Sequence, residues 1–244
     1  MSEHSPNKMS VVQHLDELRG RLIASLLFFL ACSILSFFFV DELAYLLKLP
    51  ARGAIKDFIF LSPTEGFVSY VRISLLSGFI CAVPFMLVQM GYFFMPALPF
   101  NRRAPVFIWL GSSFSLFIMG AAFAYFVALP FAIKFLVDFA KGAAVPMISI
   151  GKYFSFATAF LLTGAAIFQI PVIMGFLSSM GVLSAAFLSR NRRYAVVCIF
   201  IVSAVITPTQ DVMNMLIFAL PMMGLYEVGV LVSRLTEKRR RRDE

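Results

Sequence analysis

Charge is scarce in this chain, and so are the residues that most chemistry requires. Only 14% of its 244 residues are charged, and only two are histidine. Both histidines, His4 and His14, lie in the N-terminal tail. No HExxH, GxSxG or P-loop pattern occurs, so the usual zinc, serine-nucleophile and phosphate-cradle chemistries have no motif to act through. Cys32, Cys81 and Cys198 each stand alone inside an apolar run, with no CxxC spacing. Neither a disulfide framework nor a metal site is supported, and no cofactor is expected. No internal repeat is visible, which counts against transporters built from duplicated halves. Acids inside the apolar runs are too few for a proton relay. These absences together argue against an enzyme.

Apolar surface, by contrast, is abundant. The chain is 60% hydrophobic and holds 29 phenylalanines. A water-soluble domain of this length has no interior large enough to hide that surface. The apolar runs are continuous rather than alternating, so they read as helices in lipid and not as barrel strands. The fold class is an all-α polytopic membrane protein. The formal charge of +8 lies in short loops and tails beside these runs, where it sets topology and does not signal nucleic acid.

Six spans are expected: Leu22–Val40, Phe67–Leu98, Pro105–Phe131, a fourth from Tyr153 past Gln169 and Pro171 to the region of 178–194, Tyr194–Ile206, and Val212–Val232. With the N-terminus inside, inner segments carry 14 lysines and arginines and outer segments 7. That bias obeys the positive-inside rule and puts both termini on the basic, cytoplasmic side. The fifth and sixth spans read as short. At ~1.5 Å per residue the fifth reaches only ~20 Å, against a ~30 Å hydrocarbon core. The first span reads as retained, because no small-residue cleavage site clearly follows it. The organisation is therefore an N-terminal interfacial helix over 1–21, a six-helix membrane domain over 22–233, and a basic cytoplasmic tail over 234–244, held near anionic lipid.

Several polar residues stand out. Leu15, Leu18 and Leu22 share one helical face, while Glu17 and Arg21 are four apart on another. This reads as a membrane anchor and charge cap, or as a carboxylate, Glu17, waiting at the lipid boundary for a cation. Asn101, Arg102 and Arg103 form a short inner loop whose arginines suffice as topogenic charge, and Asn101 adds hydrogen-bonding capacity. Gln169 is mid-span beside Pro171, placed to bond a neighbouring helix or a carbonyl that the proline frees. Asp211 precedes the last span as a helix N-cap. Ser62-Pro63-Thr64-Glu65 has the composition of a helix start.

In order along the chain, His14 to Leu22, Ser62-Pro63-Thr64-Glu65-Gly66-Phe67, Gly120 to Phe126, Phe168-Gln169-Ile170-Pro171, Thr207-Pro208, Ala219-Leu220-Pro221 and Tyr226-Glu227-Val228-Gly229 resemble the TatC family, the large subunit of the twin-arginine protein translocase. The resemblance implies a multi-pass protein of the bacterial inner membrane. It implies a receptor for signal peptides with paired arginines, working in a multimeric complex with single-span TatA and TatB to export folded proteins on the proton-motive force. Carried over residue by residue, it assigns signal-peptide binding to Glu17, Arg19, Phe93, Asn101 and Arg103, and partner-helix contact to Gln169, Thr207 and Asp211. Two departures stand out. Asn101 occupies a position that is usually glutamate, and Gln169 one that is often glutamate. An amide accepts a hydrogen bond but cannot neutralise a guanidinium. A different class, a secondary transporter of a small solute, would need midplane charges or broken helices; only Pro84, Pro171 and Gln169 lean that way.

Overall fold

The structure is a computed structural model, and it describes residues 11–55, 57–94, 104–140, 147–206 and 212–243. The chain crosses six times. The first crossing is α1 (Val11–Phe37), which turns sharply into the short α2 (Val40–Lys48). The second is α3 (Glu65–Phe94). The third combines α4 (Ala104–Phe123), a π-helical turn (Ala124–Ala128) and α5 (Leu129–Ala140). The fourth combines α6 (Ile150–Ile167) and α7 (Ile170–Ser179). After the small helix α8 (Ala185–Arg190) come α9 (Arg192–Ile206) and α10 (Val212–Asp243). Among the described residues, five helical stretches are long and apolar enough to span a membrane, and α9 is the sixth, shorter crossing.

Prolines explain the interruptions. Pro130 lacks an N–H and its ring crowds the carbonyl four residues back, so the helix loosens into a π turn immediately before it. Pro171 does the same at Ile167, where α6 stops and a two-residue turn at Phe168–Gln169 starts α7. The third span therefore runs to Ala140, further than its apolar residues indicate. The fourth ends at Ser179, followed by a turn in which Gly181 adopts φ 77°, a backbone region that glycine enters without a Cβ clash.

The fifth span is short, at 15 residues. The sixth differs from the expected short span: its helix has 32 residues. The apolar segment ends near Val232, but the basic tail continues as helix because the α8 region holds it. Arg234 donates to Ser189 Oγ at 3.0 Å, and Glu237 Oε1 accepts from the Ala185 N–H at 2.6 Å. Higher on α10, Glu227 pairs with Arg192 at 2.9 Å and the Tyr226 hydroxyl donates to the Leu188 carbonyl at 2.9 Å. Residues 11–21, expected as a helix feeding the first span, join it without a break.

The core is shared by α2, α3, the third and fourth crossings and α10, around the buried phenylalanines Phe154, Phe160 and Phe218. Helix α1 stays outside it and packs along α3. Their crossing is close at Gly78, where a Cβ would stand 2.5 Å from the backbone N and Cα of Ser33. The face opposite the chain ends is capped. Three tyrosine hydroxyls pin α2 there: Tyr70 donates to Asp41 at 2.6 Å, Tyr125 to the Leu46 carbonyl at 2.7 Å, and Tyr153 to the Leu47 carbonyl at 2.5 Å. The last carbonyls of any helix lack intrahelical partners, and here two side chains from other elements supply donors. A two-residue parallel strand pair, β1 (Phe58–Ile59) and β2 (Ile148–Ser149), ties the loops beside this cap.

Candidate functional site

The site begins with the helical spacing of α1. Glu17 and Arg21 are one turn apart, and their side chains form an ion pair on the side of α1 that meets α3. Arg21 also donates to the Gln89 carbonyl of α3 at 3.2 Å, and its guanidinium lies 5.6 Å from the Tyr92 ring centre. A guanidinium over an aromatic face is held by the ring quadrupole. Arg21 thereby fastens the Glu17 carboxylate to the last turns of α3. Both side chains are about one-quarter exposed.

Of the two readings the sequence leaves open, a charge cap or a carboxylate awaiting a cation, the first is met in part, since Arg21 holds Oε1 of the carboxylate. Its second oxygen, Oε2, is buried and has no hydrogen-bond partner among the described residues. A buried carboxylate oxygen without a donor is costly, and it invites a donor from outside. Charge-assisted hydrogen bonds are the strong ones, and a guanidinium offers several N–H groups in one plane.

Phe93 is half-buried in the final turn of α3, next to Tyr92, so it shares this end of the bundle with Glu17 and Arg21. Arg19 is exposed. It is two residues from Glu17, so the helical twist sends it to another face. Asn101 and Arg103 follow α3 in the chain but lie outside the described residues. So do Thr207 and Asp211.

Gln169 sits in the break between α6 and α7. Its carbonyl oxygen accepts from Ser113 Oγ at 2.5 Å, and its amide donates to the Ser113 backbone carbonyl at 3.1 Å. Both halves of the amide are engaged by α4 of the same chain, which is the helix-to-helix bonding expected of an amide in lipid. Sequence reasoning misses Ser113; the only signal for it is a serine within an apolar span.

A second carboxylate organises the opposite end. Glu65 opens α3, and its Oε2 accepts from the Leu61 N–H at 2.6 Å. Its Oε1 accepts from the Gly151 N–H at 2.7 Å and from the Ser149 hydroxyl. One glutamate thus fastens the loop that precedes its own helix and caps the start of α6. Gly151 permits the approach, since a Cβ there would fall 2.6 Å from Glu65 Cγ. The sequence marks Glu65 as a local cap and gives no sign of the longer reach.

Among the described residues there is no cluster of His, Cys, Asp and Glu that could hold a metal ion.

Comparison with known proteins identifies the family. A family model described as Sec-independent protein translocase protein (TatC) matches residues 13–221. The TatC protein of Aquifex aeolicus is 36% identical over 238 residues, covering 96% of this chain and 98% of its own. That of Carboxydothermus hydrogenoformans is 33% identical over 226 residues, or 93% of each chain. A crystal structure described as the twin-arginine translocase receptor TatC superposes with a TM-score of 0.79 at 35% identity, covering 91% of this chain and 99% of the other. These relatives are named for moving proteins, a transport role and not catalysis, and nothing among them supports small-solute uptake. Matched over nearly its whole length in both sequence and backbone, the chain belongs to the TatC family of Sec-independent protein translocase proteins.

Proposed function

We propose that this chain is the receptor and core subunit of a twin-arginine translocase in the bacterial cytoplasmic membrane, with both termini in the cytoplasm. It binds signal peptides carrying paired arginines. With TatA- and TatB-type single-span partners it exports folded proteins, driven by the proton-motive force. The observation that carries this reading is the buried, donor-less Oε2 of Glu17 at the end of α3.

Arg21 holds one carboxylate oxygen and a signal-peptide guanidinium takes the other. The planar fork of arginine satisfies that geometry better than the compact ammonium of lysine. Phe93 offers an apolar and aromatic surface beside it. Asn101 and Arg103, next in the sequence after α3, are assigned to the same recognition, with Asn101 supplying hydrogen bonds where a carboxylate would supply charge. Arg19, on another face of α1, sets the charge around the entrance. Glu17 therefore carries most of the recognition.

Partner helices pack against α9. Its Tyr194, Val197, Ile201 and Val205 are all more than half exposed and recur at helical spacing, forming an apolar stripe. Thr207 and Asp211, which follow α9 in the sequence, are further contacts for the partners in this reading. Gln169, whose amide is held by Ser113 of α4, steadies the helix break near which a partner helix docks. Fifteen residues of α9 extend ~22 Å, short of a ~30 Å core, so the adjoining bilayer thins. A thin patch beside the partner helices lowers the barrier to a passing cargo.

The test is export of a paired-arginine reporter by cells carrying Glu17→Gln or Glu17→Ala. Both variants are expected to lose most export while reaching wild-type membrane levels. Undiminished export by both removes Glu17 from the mechanism.

A further inference from the structure

On the face opposite the chain ends, a cleft of about 310 Å³ opens between α3 and the start of α6. Glu65, Arg72, Ser149 and Lys152 line it. The carboxylate is already supplied with donors from Leu61, Gly151 and Ser149. The two cations are not matched: among the described residues, no acidic group forms a salt bridge with Arg72 or Lys152.

The position of Arg72 is unusual for a charge. It lies seven residues into α3, ~10 Å along the helix from its start, within an otherwise apolar span. A charged group at such depth needs water or an anion, and its long side chain reaches toward the headgroup layer. The cleft is that direction. Beside it, Phe60, Leu61 and Phe67 are each more than 60% exposed, and Val68 is 48% exposed. Such side chains face acyl chains comfortably and water poorly.

We propose that this cleft binds the headgroup phosphate of an anionic phospholipid, in the leaflet opposite the chain ends. Arg72 and Lys152 hold the phosphate, and an acyl chain lies along Phe67 and Val68. Free phosphate shares the anionic chemistry but would leave the apolar rim uncovered. The bound lipid bridges α3 and α6 at the point where Glu65 already joins them, and so stiffens the capped end.

The experiment is native mass spectrometry of the purified full chain with phosphatidylglycerol. The wild type is expected to retain a lipid that the Arg72→Gln/Lys152→Gln double variant loses by about tenfold or more. Lys134→Gln removes an exposed cation outside the cleft and should change nothing. Arg72→Lys, which keeps the charge, should retain most of the lipid. Zwitterionic phosphatidylcholine should be held more weakly, and millimolar inorganic phosphate should not displace the glycerophospholipid. Equal retention by wild type and double variant overturns the proposal. An equal loss in Lys134→Gln overturns it too, because the effect is then general surface charge. Displacement by inorganic phosphate assigns the cleft to a free anion and rejects the lipid. If the double variant does not fold, the Lys152→Gln single variant compared with Arg72→Lys decides by the same readout.

Discussion

Two glutamates, Glu17 and Glu65, sit at opposite ends of the bundle in the same half-buried setting, and they are treated in opposite ways. Both oxygens of Glu65 are saturated by two backbone N–H groups and a hydroxyl. Glu17 has one oxygen on Arg21 and one buried with nothing to bond. A saturated carboxylate has little left to offer a visitor, so Glu65 is a clamp between helices. A half-saturated one keeps an unmet demand for a donor, so Glu17 is placed to recognise something. Residue type and burial do not separate the two; the count of donors does.

The largest effect on stability is expected at the saturated end. Glu65→Ala removes the cap of α6 and its tie to the loop before α3, and three donors lose their acceptor together. It should lower the Tm of the detergent-solubilised protein further than the loss of any single hydrogen bond in the bundle. Glu17→Ala, judged by the same melting curve, should leave Tm nearly unchanged. A larger loss of Tm in Glu17→Ala than in Glu65→Ala would reverse the assignment. Next is Gly78→Val at the α1–α3 crossing. Its side chain meets Ser33 backbone that cannot yield cheaply, and overpacking of this kind costs about 1–3 kcal/mol or more. Thermal unfolding, with crosslinking of α1 to α3 as a local readout, would check it. Tyr153→Phe leaves the Leu47 carbonyl without its donor in a buried place, at a cost of about 1–3 kcal/mol. Denaturant unfolding compared with Phe154→Leu, which keeps the hydroxyl of Tyr153, separates the hydrogen bond from packing. The smallest effect belongs to the amide in the fourth crossing. A double-mutant cycle of Ser113→Ala and Gln169→Leu should give a coupling of about 0.6 kcal/mol, typical of hydrogen bonds within lipid. A coupling of zero would show that Gln169 is held otherwise.

The difference between the two ends also marks what a linear reading can reach. The six crossings are legible because apolar runs of helical length have few alternatives in lipid. The short fifth crossing is legible for the same reason. Pairing of Glu17 with Arg21 is visible as an i, i+4 spacing, although the paired state, in place of an open carboxylate, needs the fold. The capped end is hidden. Glu65 and Ser149 are 84 residues apart in sequence, and Tyr153 and Leu47 are 106 apart. Nothing in the local pattern around a tyrosine announces which distant carbonyl it will reach. The extent of α10 is hidden as well. Hydropathy ends it at the apolar boundary, whereas contacts from Arg234 and Glu237 to the α8 region carry the helix on to Asp243.

The most direct measurement is the affinity of a synthetic signal peptide with paired arginines, and of its paired-lysine counterpart, for the purified chain in nanodiscs. If the unmet oxygen of Glu17 is the receptor group, the arginine peptide binds more tightly to the wild type. Glu17→Gln then weakens it by about 10- to 100-fold, the worth of one charge-assisted hydrogen bond, and removes most of its advantage over lysine. Unchanged affinity in Glu17→Gln, with the preference for arginine intact, would contradict the account.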